Sequence, residues 1–231
     1  MSVGSRPDVS PSLLDALRRS REWGFLGDGP VESHVAHAIG FAEAAEAAPD
    51  VTPTGERSLG PWMDLGSGGG IPGLILANRW PDREAVLLDS SERRTSFLSQ
   101  IIADQGWDDR VTIVTDRAEL AGRTAAYRGA FTLVVARSFG SPPVTAECAA
   151  PFLRRGGVLV VSEPPHSSAR NELDEVRWPE QGLRIVGLTR LSLRRGEFGY
   201  ALLRQAEDCP DRFPRRVGVP GKRPIYGTGG D

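Results

Sequence analysis

Residues 64–73, Asp-Leu-Gly-Ser-Gly-Gly-Gly-Ile-Pro-Gly, constrain this chain more than any other stretch. Trp62–Leu65, just before the glycines, reads as a short buried strand. Glycines let a backbone turn at little steric cost and approach a ligand closely. Pro72 suits the first turn of a helix that runs to about Trp80. About twenty residues on, Glu84–Leu88 reads as a second strand that ends in Asp89, where an acid can accept hydrogen bonds from both hydroxyls of a ribose. Strand, glycine turn, helix, strand and acid together predict the half-site of a nucleoside-containing cofactor.

The rest of the chain is read around that unit. Its 231 residues suffice for one sizeable core with an accessory element. No apolar run approaches the ~20 residues that span a bilayer, and the first residues lack a signal peptide's apolar core. Cys148 and Cys209 stand far apart and suggest neither a metal cluster nor a disulfide framework. The expectations are therefore a cytoplasmic protein with no membrane partner and no metal. A net charge of −2 gives no global pull toward nucleic acid, so RNA binding needs a local basic patch.

Residues 1–10 read as disordered, Pro11–Trp23 as a helix capped by Ser10, and Pro30–Ala48 as a second helix with an apolar stripe. Pro49–Gly60 is a polar linker. From Pro61 strands at 61–65, 84–88, 111–115, 131–136 and 157–162 alternate with helices at 72–80, 91–105, 117–122, 143–153 and 167–176. Segments 183–191 and 197–204 follow as an antiparallel hairpin. This order predicts an α/β fold: a doubly wound, mostly parallel sheet with a C-terminal antiparallel hairpin, preceded by a short helical region. It also divides the chain into an N-terminal helical region and linker (1–60), a catalytic domain (61–207) and a basic tail (208–231).

The type of cofactor follows from an acid. Gly68 to Gly73 formally fits the G-x-G-x-x-G of dinucleotide enzymes. Asp64-x-Gly66-x-Gly68-x-Gly70, however, resembles the first motif of S-adenosylmethionine-dependent methyltransferases of class I. There the acid organises the loop and the cofactor's amino-acid end, whereas facing a pyrophosphate it would repel. Gly66, Gly68 and Gly70 would floor the pocket, and Ile71 either packs on the cofactor or belongs to the core. Asp89 is the ribose acceptor or a helix N-cap, although Ser90 or Ser91 can cap alone. Asp116-Arg117-Ala118-Glu119 would lie beside the adenine or form a solvated loop. Arg137, ending the fourth strand, would point into the same cleft to hold a carboxylate or phosphate, or make a structural ion pair. Phe139 either stacks on a flipped base or fills core. His34, His37 and His166 are bases only for an oxygen or amine substrate, and otherwise structural. No catalytic residue is assigned.

These stretches together resemble the bacterial 16S ribosomal RNA guanine-N7 methyltransferases, also called the glucose-inhibited division protein B family, over roughly residues 30–226. The resemblance rests on the glycine loop, on Leu87-Leu-Asp-Ser-Ser-Glu-Arg-Arg-Thr-Ser-Phe-Leu98, on Arg117-Ala-Glu119 and on Ala136-Arg-Ser138. It extends to the ending Phe213-Pro-Arg-Arg-Val-Gly-Val-Pro-Gly-Lys-Arg-Pro-Ile225. It implies cofactor contacts at Gly66, Ile71, Ala118, Glu119 and Arg137, S-adenosyl-L-methionine as cofactor, and guanine N7 of 16S ribosomal RNA in the small subunit as substrate. Arg215, Arg216, Lys222 and Arg223, interleaved with prolines and glycines, read as an extended, non-helical strap for RNA phosphate or as a solvated terminus. Its distance from the glycine loop predicts that removing residues 212–231 leaves cofactor affinity nearly intact.

Three departures stand against this resemblance. The N-terminal helical region is shorter than the family's. His34-Val-Ala-His37-Ala38 replaces the family's His-x-x-Asp-Ser, losing an acid and a serine. Ser162-Glu163-Pro164-Pro165 replaces a Lys-Gly, so Glu163 reverses a charge expected to face RNA, and Glu163→Lys is expected to tighten RNA binding. A methyltransferase of small molecules or of another RNA, and a non-catalytic cofactor-binding paralogue, are the rival readings.

Overall fold

The computed structural model describes residues 9–48, 60–164, 177–194 and 197–227. The expected disorder of residues 1–8, most of the 49–60 linker, the helix at 167–176 and His166 lie outside those residues.

Seven strands form one sheet in the order β3-β2-β1-β4-β5-β7-β6. The strands are β1 (Trp62–Leu65), β2 (Ala85–Asp89), β3 (Val111–Thr115), β4 (Phe131–Ala136), β5 (Leu153–Glu163), β6 (Leu188–Arg194) and β7 (Gly199–Gln205). β1 to β5 run parallel, and β7 inserts antiparallel between β5 and β6. The expected hairpin is therefore present, with its second strand next to the parallel part. The helices are α1 (Pro11–Glu22), α2 (Val31–Glu46), α3 (Gly73–Arg79), α4 (Glu92–Gln105), α5 (Ala118–Ala121), α6 (Pro142–Ala149), α7 (Glu180–Leu183) and α8 (Val219–Lys222).

Because side chains alternate across a strand, the sheet feeds two apolar layers. Trp62, Leu133, Val135, Val160 and Leu202 join α1 to α4 in one layer. Met63, Leu65, Val134, Ala136, Leu159 and Leu203 join α5, α6, α7 and the C-terminal segment in the other. The N-terminal helices thus belong to the sheet's own core. Ser10 caps α1 by accepting from Leu13 N–H (3.2 Å), and Val9 packs against the same layer, so neither residue is free as expected of 1–10.

Several boundaries differ from the sequence reading, for local reasons. The helix expected over 143–153 stops at Ala149 and tightens into a 3-10 turn, Ala150–Phe152. Pro151 has no N–H with which to continue the ladder. β5 begins at Leu153, and a register irregularity against β4 lets it run on to Glu163. Residues 183–187, expected as strand, are a helical turn and a 3-10 turn ended by Gly187 at φ 79°.

Candidate active site

The glycine loop leaves β1 by extending its ladder: Gly66 and Ser67 N–H donate to Leu88 C=O at 2.8 and 3.0 Å. Gly66 lies at φ 76°, and a Cβ there would stand 2.7 Å from the Phe139 ring. Only glycine fits both the conformation and the space. Gly68 and Gly70 also have positive φ, but a Cβ on Gly70 would meet Leu74, so that glycine serves packing. Ile71 is 4% exposed within the apolar layer beside α3 and α4.

Asp64 is fully buried and accepts the Gly73 N–H on Oδ2 (2.9 Å). A Cβ on Gly73 would stand 2.5 Å from that oxygen, so the glycine is what lets the carboxylate approach. Asp64 Oδ1 is buried and without a hydrogen-bond partner. Burial pushes this carboxyl up to about 7, against the lowering effect of the Gly73 hydrogen bond and of the Arg137 charge.

Asp89 ends β2 and accepts twice from backbone, from Gly68 N–H on Oδ2 and from Ser91 N–H on Oδ1, both at 2.9 Å. Ser91, the N-cap of α4, makes no side-chain cap. The expectation that a serine caps alone is thus corrected: Asp89 both ties down the glycine loop and opens the helix. A carboxylate offers about four lone-pair positions, so it retains acceptor capacity, with Arg94 at 3.7 Å.

A cavity of about 300 Å³ opens at the carboxyl ends of these strands. Gly66, Asp89, Ala118 and Glu119 line it, with Asp116, Arg117 and Phe139. Asp64, Gly68, Gly70, Ile71 and Arg137 do not line it. Arg137 instead reaches α2, where its Nη2 donates to His34 Nδ1 (2.9 Å), while His34 Nε2 donates to Gly27 C=O (3.1 Å). Both ring nitrogens of His34 are therefore engaged. His37 stacks on Phe198 at 4.5 Å between centroids, and burial, with the charges of Arg137 and His34, holds its pKa down to about 4.

The C-terminal segment departs most from expectation. It is folded onto the protein, and Val219–Lys222 is a helical turn. Phe213 is buried. Arg215 gives its backbone N–H, Nε and Nη2 to the fully buried Glu147 at 2.9, 2.8 and 2.5 Å. Gly218 N–H donates to Glu119 Oε1 (3.0 Å), and Gly218 and Gly221 line the cavity. Burial raises the Glu119 carboxyl, but the hydrogen bonds from Gly218 and Arg117 outweigh it and leave the group below its ordinary range. The extended, non-helical strap is corrected: two buried carboxylates, distant in sequence, capture the tail and bring it to the cavity. Arg215 is spent on Glu147, whereas Arg216, Lys222 and Arg223 are exposed.

Glu163 is likewise occupied. Its carboxylate accepts from Trp178 Nε1 (2.8 Å) and Arg177 Nε (2.7 Å). The charge reversal at this position is neutralised internally, so Glu163→Lys would strand two donors before it touched any RNA.

Nothing local announced Gly218, Gly221, Val144 or Cys148 as cavity residues; Ser90 directly follows Asp89, and Arg94 lies in the first turn of α4. Among the described residues no group of three or more His, Cys, Asp or Glu could hold a metal ion, and no helix is long and apolar enough to cross a membrane. Cys148 and Cys209 are free thiols.

Comparison with known proteins bears on this site. The family model of rRNA small subunit methyltransferase G matches residues 41–181. A Prochlorococcus marinus protein named ribosomal RNA small subunit methyltransferase G is 33% identical over 166 residues, covering 71% of this chain and 67% of that protein. A Thermotoga protein of the same name is 38% identical over 178 residues, covering 75% of each. Among solved structures, a methyltransferase from Geobacter sulfurreducens superposes with a TM-score of 0.55 at 15% identity, covering 87% of this chain and 93% of that one. The [4+2]-cyclase SpnF does so at 0.52 and 19%, covering 79% and 71%. At such identities the structures speak for the fold, and the cyclase shows that this fold is not confined to one reaction.

Proposed function

This chain belongs to the rRNA small subunit methyltransferase G family, and we propose that it transfers a methyl group from S-adenosyl-L-methionine to guanine N7 of 16S ribosomal RNA. The observation that carries the proposal is the cavity at the carboxyl ends of β1 to β4, where the strand order reverses between β1 and β4. There Gly66 has no room for a side chain and Asp89 holds spare acceptor capacity. The orphaned Asp64 Oδ1 beneath the loop, near the Arg137 charge, adds an unmatched acceptor. These features fit a nucleoside cofactor with an amino-acid arm.

When bound, S-adenosylmethionine supplies a methyl group already activated on a sulfonium. The chain's own residues bind and orient. Asp89 accepts from the ribose hydroxyls, Gly66 lets the loop backbone come close, and the Asp116–Glu119 turn borders the ring. Arg137, fixed by His34, supplies a cation for the carboxylate arm. Guanine N7 offers an unprotonated in-plane lone pair at neutral pH, so alignment is what the protein must provide. This agrees with the histidines: both nitrogens of His34 are engaged, and His37 is half-buried and stacked on Phe198.

On the substrate side, Arg216, Lys222 and Arg223 are the phosphate contacts and Phe139, bordering the cavity, is the stacking candidate. In this reading the tail's exposed cations face RNA while its buried residues belong to the catalytic unit; the site of action is the cytoplasm, where ribosomal subunits are. Because Arg177 neutralises Glu163 and Trp178 donates a hydrogen bond to it, that carboxylate lends no support to a small-molecule substrate. Mass-spectrometric mapping of nucleosides in ribosomal RNA, with and without this protein in its host, tests the proposal. Loss of one 7-methylguanosine from 16S RNA is expected, and an unchanged map would refute it.

A further inference from the structure

We infer that Phe213–Lys222 forms a wall of the cofactor cavity and that Glu119 serves the site as a positioning residue, by fastening this wall. The inference rests on the methyltransferase reading above. It extends that reading to a segment beyond the matched residues 41–181.

Gly218 and Gly221 line the cavity together with Gly66 and Asp89. At both tail glycines the position of a Cβ is open space, so the absence of side chains leaves room beside the cavity. A wall made of bare peptide suits the flat, uncharged base end of a nucleoside. It offers no charge to a sulfonium or a carboxylate.

The wall is built in, not merely adjacent. Glu119, with 5% of its surface exposed, accepts from Gly218 N–H at 3.0 Å and from Arg117 Nη2 at 3.3 Å. A second fastening lies on α6, where Glu147 takes three donors from Arg215. Arg215 Nη2 also donates to Arg223 C=O (2.6 Å), which closes the segment on itself around α8. Without the segment, Glu119 and Glu147 would be two carboxylates at or beneath the cavity wall with their main donors removed. Burial of unpaired carboxylates is unfavourable, so the two carboxylates favour the attached tail.

The test is limited trypsin digestion of the full chain, with S-adenosylhomocysteine as probe and its binding followed by calorimetry. Saturating probe is expected to slow cleavage after Arg216 and Lys222 by about fivefold, since a ligand of the closed form depletes the open one. Cleavage after Arg184, whose side chain is 72% exposed and outside the cavity, should not change. Glu119→Leu should weaken probe binding about tenfold and abolish the protection. Glu119→Gln keeps an oxygen that accepts from Gly218 and should restore the protection that Glu119→Leu loses. Removal of the segment exposes Phe213's apolar partners and risks unfolding, so protection in the unaltered chain is the deciding measurement. Probe binding without slower cleavage after Arg216 and Lys222 overturns the inference alone. A folded full chain that does not bind the probe overturns the cofactor reading and this inference with it.

Discussion

The glycine loop and the C-terminal segment border the same cavity and are built by opposite means. The loop is held by neighbours in its own strand–turn–strand unit: Leu88 C=O, the Asp89 carboxylate and the Asp64 carboxylate all bind its backbone. The tail is held by carboxylates 68 and 99 residues away, Glu147 and Glu119. A locally built wall can keep its shape while the rest of the fold loosens. A wall built from long-range contacts, here one ion pair and one backbone hydrogen bond, depends on distant partners. The same charges that look like an RNA strap in the sequence are therefore divided in the structure, with Arg215 inward and Arg216 outward.

The sharpest way to break the comparison is Arg215→Ala. It leaves Glu147 buried without its cation, and a loss of about 3–5 kcal/mol is expected in denaturant unfolding. Arg216→Ala, one residue on, should cost less than about 0.5 kcal/mol. Equal effects at the two positions would show that the tail is not anchored as described.

On the loop side, the strongest effect should be on pH dependence. The Asp64 carboxyl rises from 3.8 to about 7 because burial disfavours its charge. The native state then retains a proton that the unfolded chain releases, so stability is lost as pH rises from about 4 to 7, by up to roughly 4 kcal/mol. His37 acts oppositely: held at about 4, it costs stability as pH falls from 6.5 toward 4. Asp64→Asn should therefore remove the decline toward neutral pH and expose the His37 slope. Unfolding curves of the cofactor-free protein from pH 4 to 8 check this, and an unaltered profile in the Asn variant would contradict it.

Asp89→Ala sharpens the comparison at the loop itself. It removes the acceptor that holds Gly68 and Ser91 as well as the ribose acceptor, and cofactor affinity should fall by about 1–3 kcal/mol in calorimetry. RNA affinity in the absence of cofactor should scarcely change.

The smallest effect belongs to the outer face of the tail. Arg216→Ala should weaken RNA binding evenly across sequences and reduce the slope of log affinity against log salt by about 1. An unchanged slope, measured by filter binding at several salt concentrations, would remove Arg216 from the phosphate contacts.

The parts legible in the sequence share one property: their partners lie close by in the chain. Strand alternation around Trp62-Met63 and Val134-Val135 sends successive side chains to opposite layers, which is why the parallel sheet and its order of elements could be read. The positive φ of Gly66 and the acid at the end of β2 follow from local turn chemistry in the same way. Boundaries failed where one residue overrode a pattern, as Pro151 and Gly187 do.

The fates of charges were not legible. Glu163 and Arg215 read as facing RNA, and each meets a protein partner, the Arg177–Trp178 pair and Glu147; Arg137, open to a ligand or a structural pairing, is held by His34. A sequence lists charges without their distances, and an ion pair across 68 residues leaves no periodic trace. The sequence by itself determined the sheet, the glycine loop and the class of cofactor, because backbone sterics and side-chain alternation act over a few residues. Only the tertiary structure decided which of the tail's cations stay exposed and that the tail lines the cavity, because burial of a carboxylate selects its partner through space.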